Sequence, residues 1–378
     1  MSDRYLLPQI LEDLPTKLVI LTGPRQVGKT TVAQSLLSHF KNAQALNWDV
    51  ASDRDVIVKQ AWRHDAGLVV FDEIHKMRDW KGFLKGAWDG RSPGQAMLVT
   101  GSARMDTFRQ GGESLAGRYF ALRLHPFSVR EWMRVSGMNA GDALNHLLER
   151  GGFPEPCFVN TPLAARRWRQ QYASDLIRED VVEFSRVQEI KSMQLFVQLL
   201  RERVGSPIKL SGLALSLQIT PNTAKRYLDI LEALHIVFRV TPWHRDVARS
   251  LLKEPKIYFC DTGLVLGDDG TKLENAVAGM LLKATQFAQD TKAESRSLHT
   301  IRDKEGHEID FVLTLDDQVT HLIEVKTSHI TPSAYLHRMA EQFAQAETVQ
   351  IVQQLRQESE QGRVAVRRAG TWLADLAA

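Results

Sequence analysis

An α/β fold built on a parallel sheet is predicted by three stretches of this 378-residue sequence. Residues 17–31, KLVILTGPRQVGKTT, pass from an apolar strand through a glycine-bounded loop into a helix. Residues 66–76, AGLVVFDEIHK, and 96–104, AMLVTGSAR, are short apolar runs ending in acids and in hydroxyls. Continuous apolar runs, unlike alternating ones, mark strands buried on both faces, as in a parallel sheet. Further strands are read at 44–49 (QALNWD) and 118–124 (RYFALRL), which makes five with helices between them.

The loop comes first because its chemistry is the most specific. Gly23 to Thr30 fits G-x-x-x-x-G-K-[ST], with Pro24, Arg25, Gln26 and Val27 between the glycines. Gly23 and Gly28 permit a tight loop whose backbone N–H groups, with the following helix N-terminus, surround phosphate oxygens. Lys29 then reaches the β- and γ-phosphates of a nucleoside triphosphate, Thr30 coordinates Mg²⁺, and Thr31 completes the segment. Asp72 at the end of the second apolar run holds the Mg²⁺ shell, and Glu73 polarises the attacking water. Ligands of open parallel sheets sit at strand C-termini, so a hydroxyl on the third run can sense the γ-phosphate; Ser102 is the first choice and Thr100 the second.

With these residues in hand, the sequence resembles the AAA+ ATPases, more narrowly the prokaryotic ATPases that carry a C-terminal domain of unknown function. The resemblance is carried by GPRQVGKTT, VVFDEIHK, VTGSAR, SLAGRYFALRLHPFSVREW, GGFPEP, PKIYFCDTGLV and HEIDFVL…LIEVKTS, and it runs to about residue 330. It implies ATP as the nucleotide, a sheet of order 5-1-4-3-2 and a small helical lid. It also implies a ring-like homo-oligomer, a hexamer among the possible sizes, in which one subunit's arginine completes the neighbour's site. Arg118 of SLAGR is the candidate for that arginine, with Arg104 and Arg109 as competitors and a purely structural role open for it.

Four segments are expected: an AAA+ core over 1–125, a helical lid over 126–186, a winged helix over 187–247 and a nuclease-like domain over 248–378. Helices are read at 140–152 and 162–184, the latter carrying Arg166, Arg167 and Arg178 as candidate phosphate contacts. A helix at 189–205 stops at Gly205, and Ser211 can cap a short helix after it. Thr220 followed by Pro221 starts another helix as cap and first-turn proline. HIVFRV then reads as a strand ending before Pro242, with Trp243, His244 and Arg245 in a wing. On the recognition-type helix, Asn222, Thr223, Lys225 and Arg226 are the early exposed residues, and Leu228, Ile230, Leu231 and Leu234 form the buried stripe. Contact with DNA through the former set is expected; a solvated helix face or a protein-docking module stays open.

The last domain starts at EPKIYFCDTGLV and a helix over 271–285 that carries Glu274. Residues 306–328, GHEIDFVLTLDDQVTHLIEVKTS, read as a hairpin. Residues two apart share a face of a strand, so Glu308 and Asp310 point one way and Glu324 and Lys326 share a face. A loop of Asp316, Asp317 and Gln318 pairs Leu315 with Val319 and brings Asp310 opposite Glu324. Two carboxylates so placed repel unless a cation relieves them; a divalent ion held by Asp310 and Glu324, with Lys326 steadying phosphate charge and Glu274 behind, would do so. The pattern D-x₁₃-E-x-K resembles the PD-(D/E)xK nuclease core, the restriction-endonuclease-like fold. Active nuclease, metal-poor nucleic-acid grip and inert scaffold all stay open.

Composition sets the outer bounds. A net charge of +3 with 25% charged residues neither demands nor excludes nucleic acid. Two cysteines, Cys157 and Cys260, are too few for a disulfide framework and point to a reducing compartment. No signal-like N-terminus or membrane-crossing window is read, so a cytoplasmic protein without a membrane partner is expected. The leading expectation is an ATP-hydrolysing motor that binds and remodels or translocates DNA, possibly at branched junctions. An ATP-gated, Mg²⁺-dependent nuclease and a nucleotide-switched regulatory or docking protein are the alternatives.

Overall fold

The structure is a computed structural model that describes residues 4–101, 115–182, 187–244 and 254–378, with side chains described outside 176–189. The chain divides into two units, Met1–His125 and Pro126–Ala378.

Five parallel strands form the centre of the first unit: β1 (Leu18–Thr22), β2 (Gln44–Asn47), β3 (Leu68–Asp72), β4 (Ala96–Thr100) and β5 (Tyr119–Arg123). Their order, β2-β3-β4-β1-β5, is the 5-1-4-3-2 arrangement that the resemblance implies, read from the other edge. The three central strands are buried along their whole length, which is why their sequences are unbroken apolar runs. The edge strands β2 and β5 are partly exposed and mix polar with apolar residues. On one face Ile20, Phe71 and Met97 pack with Trp80, Leu84 and Trp88 of the helix Trp80–Asp89. Trp62 meets Phe71 edge to face at 5.2 Å. Each large side chain buried in this way contributes about 1.5–3 kcal/mol. Because every strand runs the same way, all five C-termini emerge at one edge, where the phosphate loop and Asp72 lie.

In the second unit a run of helices comes first: Val129–Ser136, Ala140–Arg150, Pro154–Phe158, Pro162–Val182, Val187–Arg201, Leu210–Ser216 and Pro221–Ala233. The first has a complete capping box, Ser128 with Glu131. Thr220 caps the last by accepting from Thr223 N, with Pro221 in its first turn. Ser211 does not cap: its helix starts at Leu210, after Lys209, with no side-chain cap. The buried stripe of Pro221–Ala233 is Ala224, Tyr227, Leu228 and Leu231, whereas Ile230 is only half-buried.

The helices lead into an eight-stranded mixed sheet of order β12-β13-β11-β10-β9-β8-β6-β7. Its strands are β6 (Val237–Pro242), β7 (Lys256–Phe259), β8 (Arg296–Arg302), β9 (Glu308–Leu315), β10 (Gln318–Lys326), β11 (Glu347–Val352), β12 (Ser359–Gln361) and β13 (Val364–Arg368). The strand expected to stop before Pro242 continues through it. Thr241 and Pro242 pair in parallel with His299 and Thr300, and Trp243 N donates to Thr300 O at 2.7 Å, beyond the residue that lacks a donor. β6 therefore belongs to the C-terminal sheet. The helix Asp269–Lys292 lies against this sheet and carries Lys283, whose ammonium donates to Pro126 O at 3.2 Å and forms an ion pair with Glu131. Both partners are almost fully buried.

Removing one member of such a pair leaves a buried charge uncompensated. Lys283→Met is expected to destabilise the protein by about 3–5 kcal/mol in urea denaturation, and Lys283→Met with Glu131→Gln to recover most of that loss. Equal stabilities of the single and double variants would show that the pair is not coupled.

Candidate nucleotide site and carboxylate cluster

β1 delivers the chain into the loop at Gly23, whose φ is +145°, and a Cβ there would stand 2.3 Å from Leu124 O. Gln26 at φ +60° and Gly28 at φ +100° are also left-handed, the backbone alternation that turns successive N–H groups inward. Gly28 is the residue before the helix Lys29–Leu36. Lys29, only 7% exposed, folds over its own loop and donates to Gly23 O at 3.0 Å and Pro24 O at 2.7 Å. Behind the loop, buried Arg4 donates from Nη1 to Val27 O at 2.8 Å and from its other terminal nitrogen to His125 O.

Asp72 ends β3 beside the loop. Its Oδ2 accepts from Thr30 Oγ1 at 3.0 Å and from Asn47 Nδ2 at 3.3 Å, and its Oδ1 accepts from Thr100 Oγ1. Glu73 follows in a left-handed conformation, φ +56°, with its N–H donating to Thr100 O at 3.1 Å. Its carboxylate lies 3.7 Å from both His75 Nε2 and Lys76 Nζ. Burial pushes the Glu73 carboxyl above the usual range, Lys76 opposes that shift and the charge of Asp72 adds to it. Such a carboxylate is a stronger base than an exposed one. Thr30 hydroxyl and Asp72 carboxylate are hard oxygen donors in contact at the tip of the sheet, a set that fits Mg²⁺.

Lys29, Thr30, Asp72, Glu73 and Thr100 thus converge, while Ser102, Arg104 and Arg109 lie outside the described residues. Arg118 does not join them. It precedes β5, whose first residue Tyr119 pairs with Leu18 at the start of β1, so it stands about 20 Å along the strands from the loop. Its guanidinium grips Asp89 Oδ1 and Oδ2 at 2.8 and 2.9 Å. Sequence reasoning missed Asn47 and Arg4. Asn47 ends β2 in register with Asp72 and was open to the strand-end rule; Arg4 carried no signal.

In the second unit the hairpin differs from expectation at its turn and recovers the expected register beyond it, as far as Phe311 and Ile323. The loop is two residues, Asp316 and Asp317, both left-handed at φ +49° and +61°, and Leu315 pairs with Gln318. A bulge at Thr320 shifts the register so that Phe311 pairs with Ile323, the last pair of this ladder, with Asp310 and Glu324 the next residues along their strands. Asp310 Oδ2 accepts from Val325 N at 2.8 Å. Lys326 lies 2.8 Å from Glu324 Oε1, and Ser333 Oγ donates to Glu324 Oε2 at 3.2 Å. Glu274 accepts from Tyr258 OH at 2.6 Å and lies 3.3 Å from Lys256 Nζ, which is also 2.9 Å from Glu308. Burial, with the charge of Glu274, pushes the Asp310 carboxyl up to about 7 against the pull of Lys256. Among the described residues, the acids and histidines whose ligand atoms gather within 4.8 Å are Asp303, Glu305 and His307; Glu274, Asp310 and Glu324 do not form such a group.

On the helix Pro221–Ala233, Asn222, Lys225 and Arg226 are exposed. Thr223 is half-buried, its hydroxyl bonded to that of Thr220 at 2.9 Å, so it serves the cap. Arg166 and Arg167 are exposed on the helix Pro162–Val182; the Arg178 side chain and Arg245 lie outside the described set.

Family comparison bears on both halves. The model of the AAA domain matches residues 15–133, and that of a domain of unknown function (DUF4143) matches 269–369. The chain carries an AAA domain and a C-terminal domain of unknown function. A further domain of unknown function (DUF8612) matches 141–268, between the AAA domain and the last one. An uncharacterized protein of Mycobacterium tuberculosis is 31% identical over 265 residues, 68% of this chain and 58% of the relative. The chain thus spans less than two thirds of that relative's length. An uncharacterized protein of Haemophilus influenzae is 20% identical over 356 residues, 85% of this chain and 86% of the relative. Among solved structures, a signal transduction ATPase with a tetratricopeptide repeat sensor from Pyrococcus horikoshii is 13% identical. It covers 76% of this chain and 46% of its own, at a TM-score of 0.24, too low to carry an argument. No helix among the described residues is long and apolar enough to cross a membrane.

The AAA site makes Gly23→Ala a sharp test: the added Cβ collides with the Leu124 carbonyl, and titration with a fluorescent ATP analogue should show binding lost with the fold retained. Asp310 supplies a pH test. Its folded-state carboxyl is raised, so the folded protein holds a proton that the unfolded chain has released between 3.8 and about 7, and stability falls as pH rises through that window. Asp310→Asn removes this loss, so its unfolding midpoint should gain several degrees on the native protein between acidic and mildly alkaline buffer. A difference independent of pH would mean that Asp310 is ionised throughout.

Proposed function

We propose that this chain is an ATP-hydrolysing AAA+ motor that binds DNA and remodels it or moves along it. The observation that carries the reading is the convergence of Lys29, Thr30, Asp72 and Glu73 at the tip of one parallel sheet. In this reading the loop N–H groups and Lys29 hold the β- and γ-phosphates, Lys29 leaving its own loop carbonyls for them. Thr30 and Asp72 would hold Mg²⁺, which would supply neutralisation of the phosphate charge. Glu73 orients the attacking water and takes its proton as the new bond to phosphorus forms and the bond to the ADP oxygen breaks. Thr100 and Asn47 keep Asp72 fixed while this happens.

Arg118 lies at the far end of the strands from its own loop, so the nucleotide it would serve belongs to a neighbouring copy. A ring-like homo-oligomer follows from that reading, with Arg118 exchanging Asp89 for the neighbour's γ-phosphate. Residues 126–186 are read as the lid, 187–247 as a winged helix and 248–378 as a restriction-endonuclease-like domain, with β6 shared between the last two. DNA contact is supported by exposed Asn222, Lys225 and Arg226 at the start of a firmly capped helix.

The test is ATPase turnover measured without DNA and with duplex, single-stranded and branched DNA over a range of salt. Lys29→Ala should abolish turnover, and Glu73→Gln should bind ATP and hydrolyse it at least about a hundredfold more slowly. DNA should raise the native rate, an effect weakened by Lys225→Ala with Arg226→Ala and steeply lost with salt. Full turnover in Glu73→Gln would end the catalytic assignment. A native rate indifferent to every DNA would favour a nucleotide-switched docking protein.

A further inference from the structure

The carboxylate cluster of the second unit raises a question of charge. Glu274 on the helix Asp269–Lys292, Glu308 and Asp310 on β9 and Glu324 on β10 face one another across a largely buried space. Four acids so placed need cationic relief, and in the resembled nuclease core a divalent ion provides it.

Here the relief comes from within the chain. β7 pairs with β6 and thereby delivers Lys256, 2% exposed, to the middle of the acids. Its Nζ lies 2.9 Å from Glu308 Oε2 and 3.3 Å from Glu274 Oε1. Glu308 Oε1 is taken by Arg302 at 3.2 Å. Both oxygens of Glu324 are taken by Lys326 and Ser333, and Asp310 already accepts from Val325 N. Among the described residues, four carboxylates therefore face three cations, Lys256, Lys326 and Arg302. A divalent ion added to this set would turn a near-neutral buried site into one with excess positive charge, and its ligands would have to abandon partners they already have. The acids also fail to gather: Glu274, Asp310 and Glu324 do not bring ligand atoms within 4.8 Å of one another. The residues do not fit the metal that the fold resemblance implies.

We propose that Lys256 is a built-in cation standing where a nuclease would hold its metal, so that the last domain is a metal-free element that does not cut DNA. This inference is independent of the ATPase reading, because it concerns groups outside the AAA domain. It also says what a single change would do: removing the ammonium leaves the acids with two cations, Lys326 and Arg302, and opens a place for a divalent ion among Glu274, Glu308 and Asp310.

The test uses the full chain without nucleotide and Mn²⁺ alone as the probe, read by the loss of its free-ion paramagnetic resonance signal. The native protein and Asp310→Asn should bind the same amount of Mn²⁺. Lys256→Met should gain one bound ion per chain, and Lys256→Met with Asp310→Asn should lose it. Circular dichroism reports whether Lys256→Met is folded; if it is not, the comparison of native protein with Asp310→Asn decides alone. A Mn²⁺ ion on the native protein that Asp310→Asn removes would overturn the proposal, as would a folded Lys256→Met that gains none.

Discussion

The first unit depends on the carboxylate of Asp72. It is buried, so its oxygens must find donors within the protein, and it finds them on three separate elements: Asn47 at the tip of β2, Thr100 at the tip of β4 and Thr30 one residue into the helix after the loop. An anion shared in this way sets the heights of three neighbouring strand ends against one another and pins the loop to the sheet. Glu73 inherits its position from the same point. Its backbone N–H continues the β3–β4 ladder to Thr100 O, and its left-handed φ of +56° then turns the chain out of the strand, with its side chain in a half-buried place beside His75 and Lys76.

In the second unit the equivalent organising element is a strand rather than a side chain. β6 follows directly on the helix Pro221–Ala233, yet it is hydrogen-bonded on both sides into the C-terminal sheet, to β7 and to β8. The helix that exposes Lys225 and Arg226 is thus tied through a short connection to the sheet that carries the acids. β6 itself cannot leave the sheet without breaking strand pairing, so movement of the helix against the sheet is confined to the connection at 234–236.

Much of this was legible in the sequence wherever a local rule applied. Unbroken apolar runs marked the buried strands, the two loop glycines marked the tight turn, and Thr220–Pro221 marked a helix start, because each of these is decided by neighbours along the chain. What stayed hidden depends on pairing between distant segments. Lys256 lies 18 residues before Glu274 and 52 before Glu308, and it meets them because β7 pairs with β6. Arg4 reaches Val27 and His125 by way of the tertiary fold, and neither contact has a spacing rule. Ser211 misled for the opposite reason: a residue suited to capping lay one position inside the helix start, where its hydroxyl caps nothing.

The bulge at Thr320 carries a lesson about how such a hairpin can change over time. A tight two-residue turn with a bulge, and a turn one residue longer with none, bring the same two residues, Phe311 and Ile323, face to face, since each adds one residue to the same arm. The alternation that keeps Ile309, Phe311 and Ile323 in the core constrains only the sum of the two. Insertions at the tip are therefore tolerable when matched by a deletion at Thr320, and lineages could drift between the two solutions without ever exposing the interior.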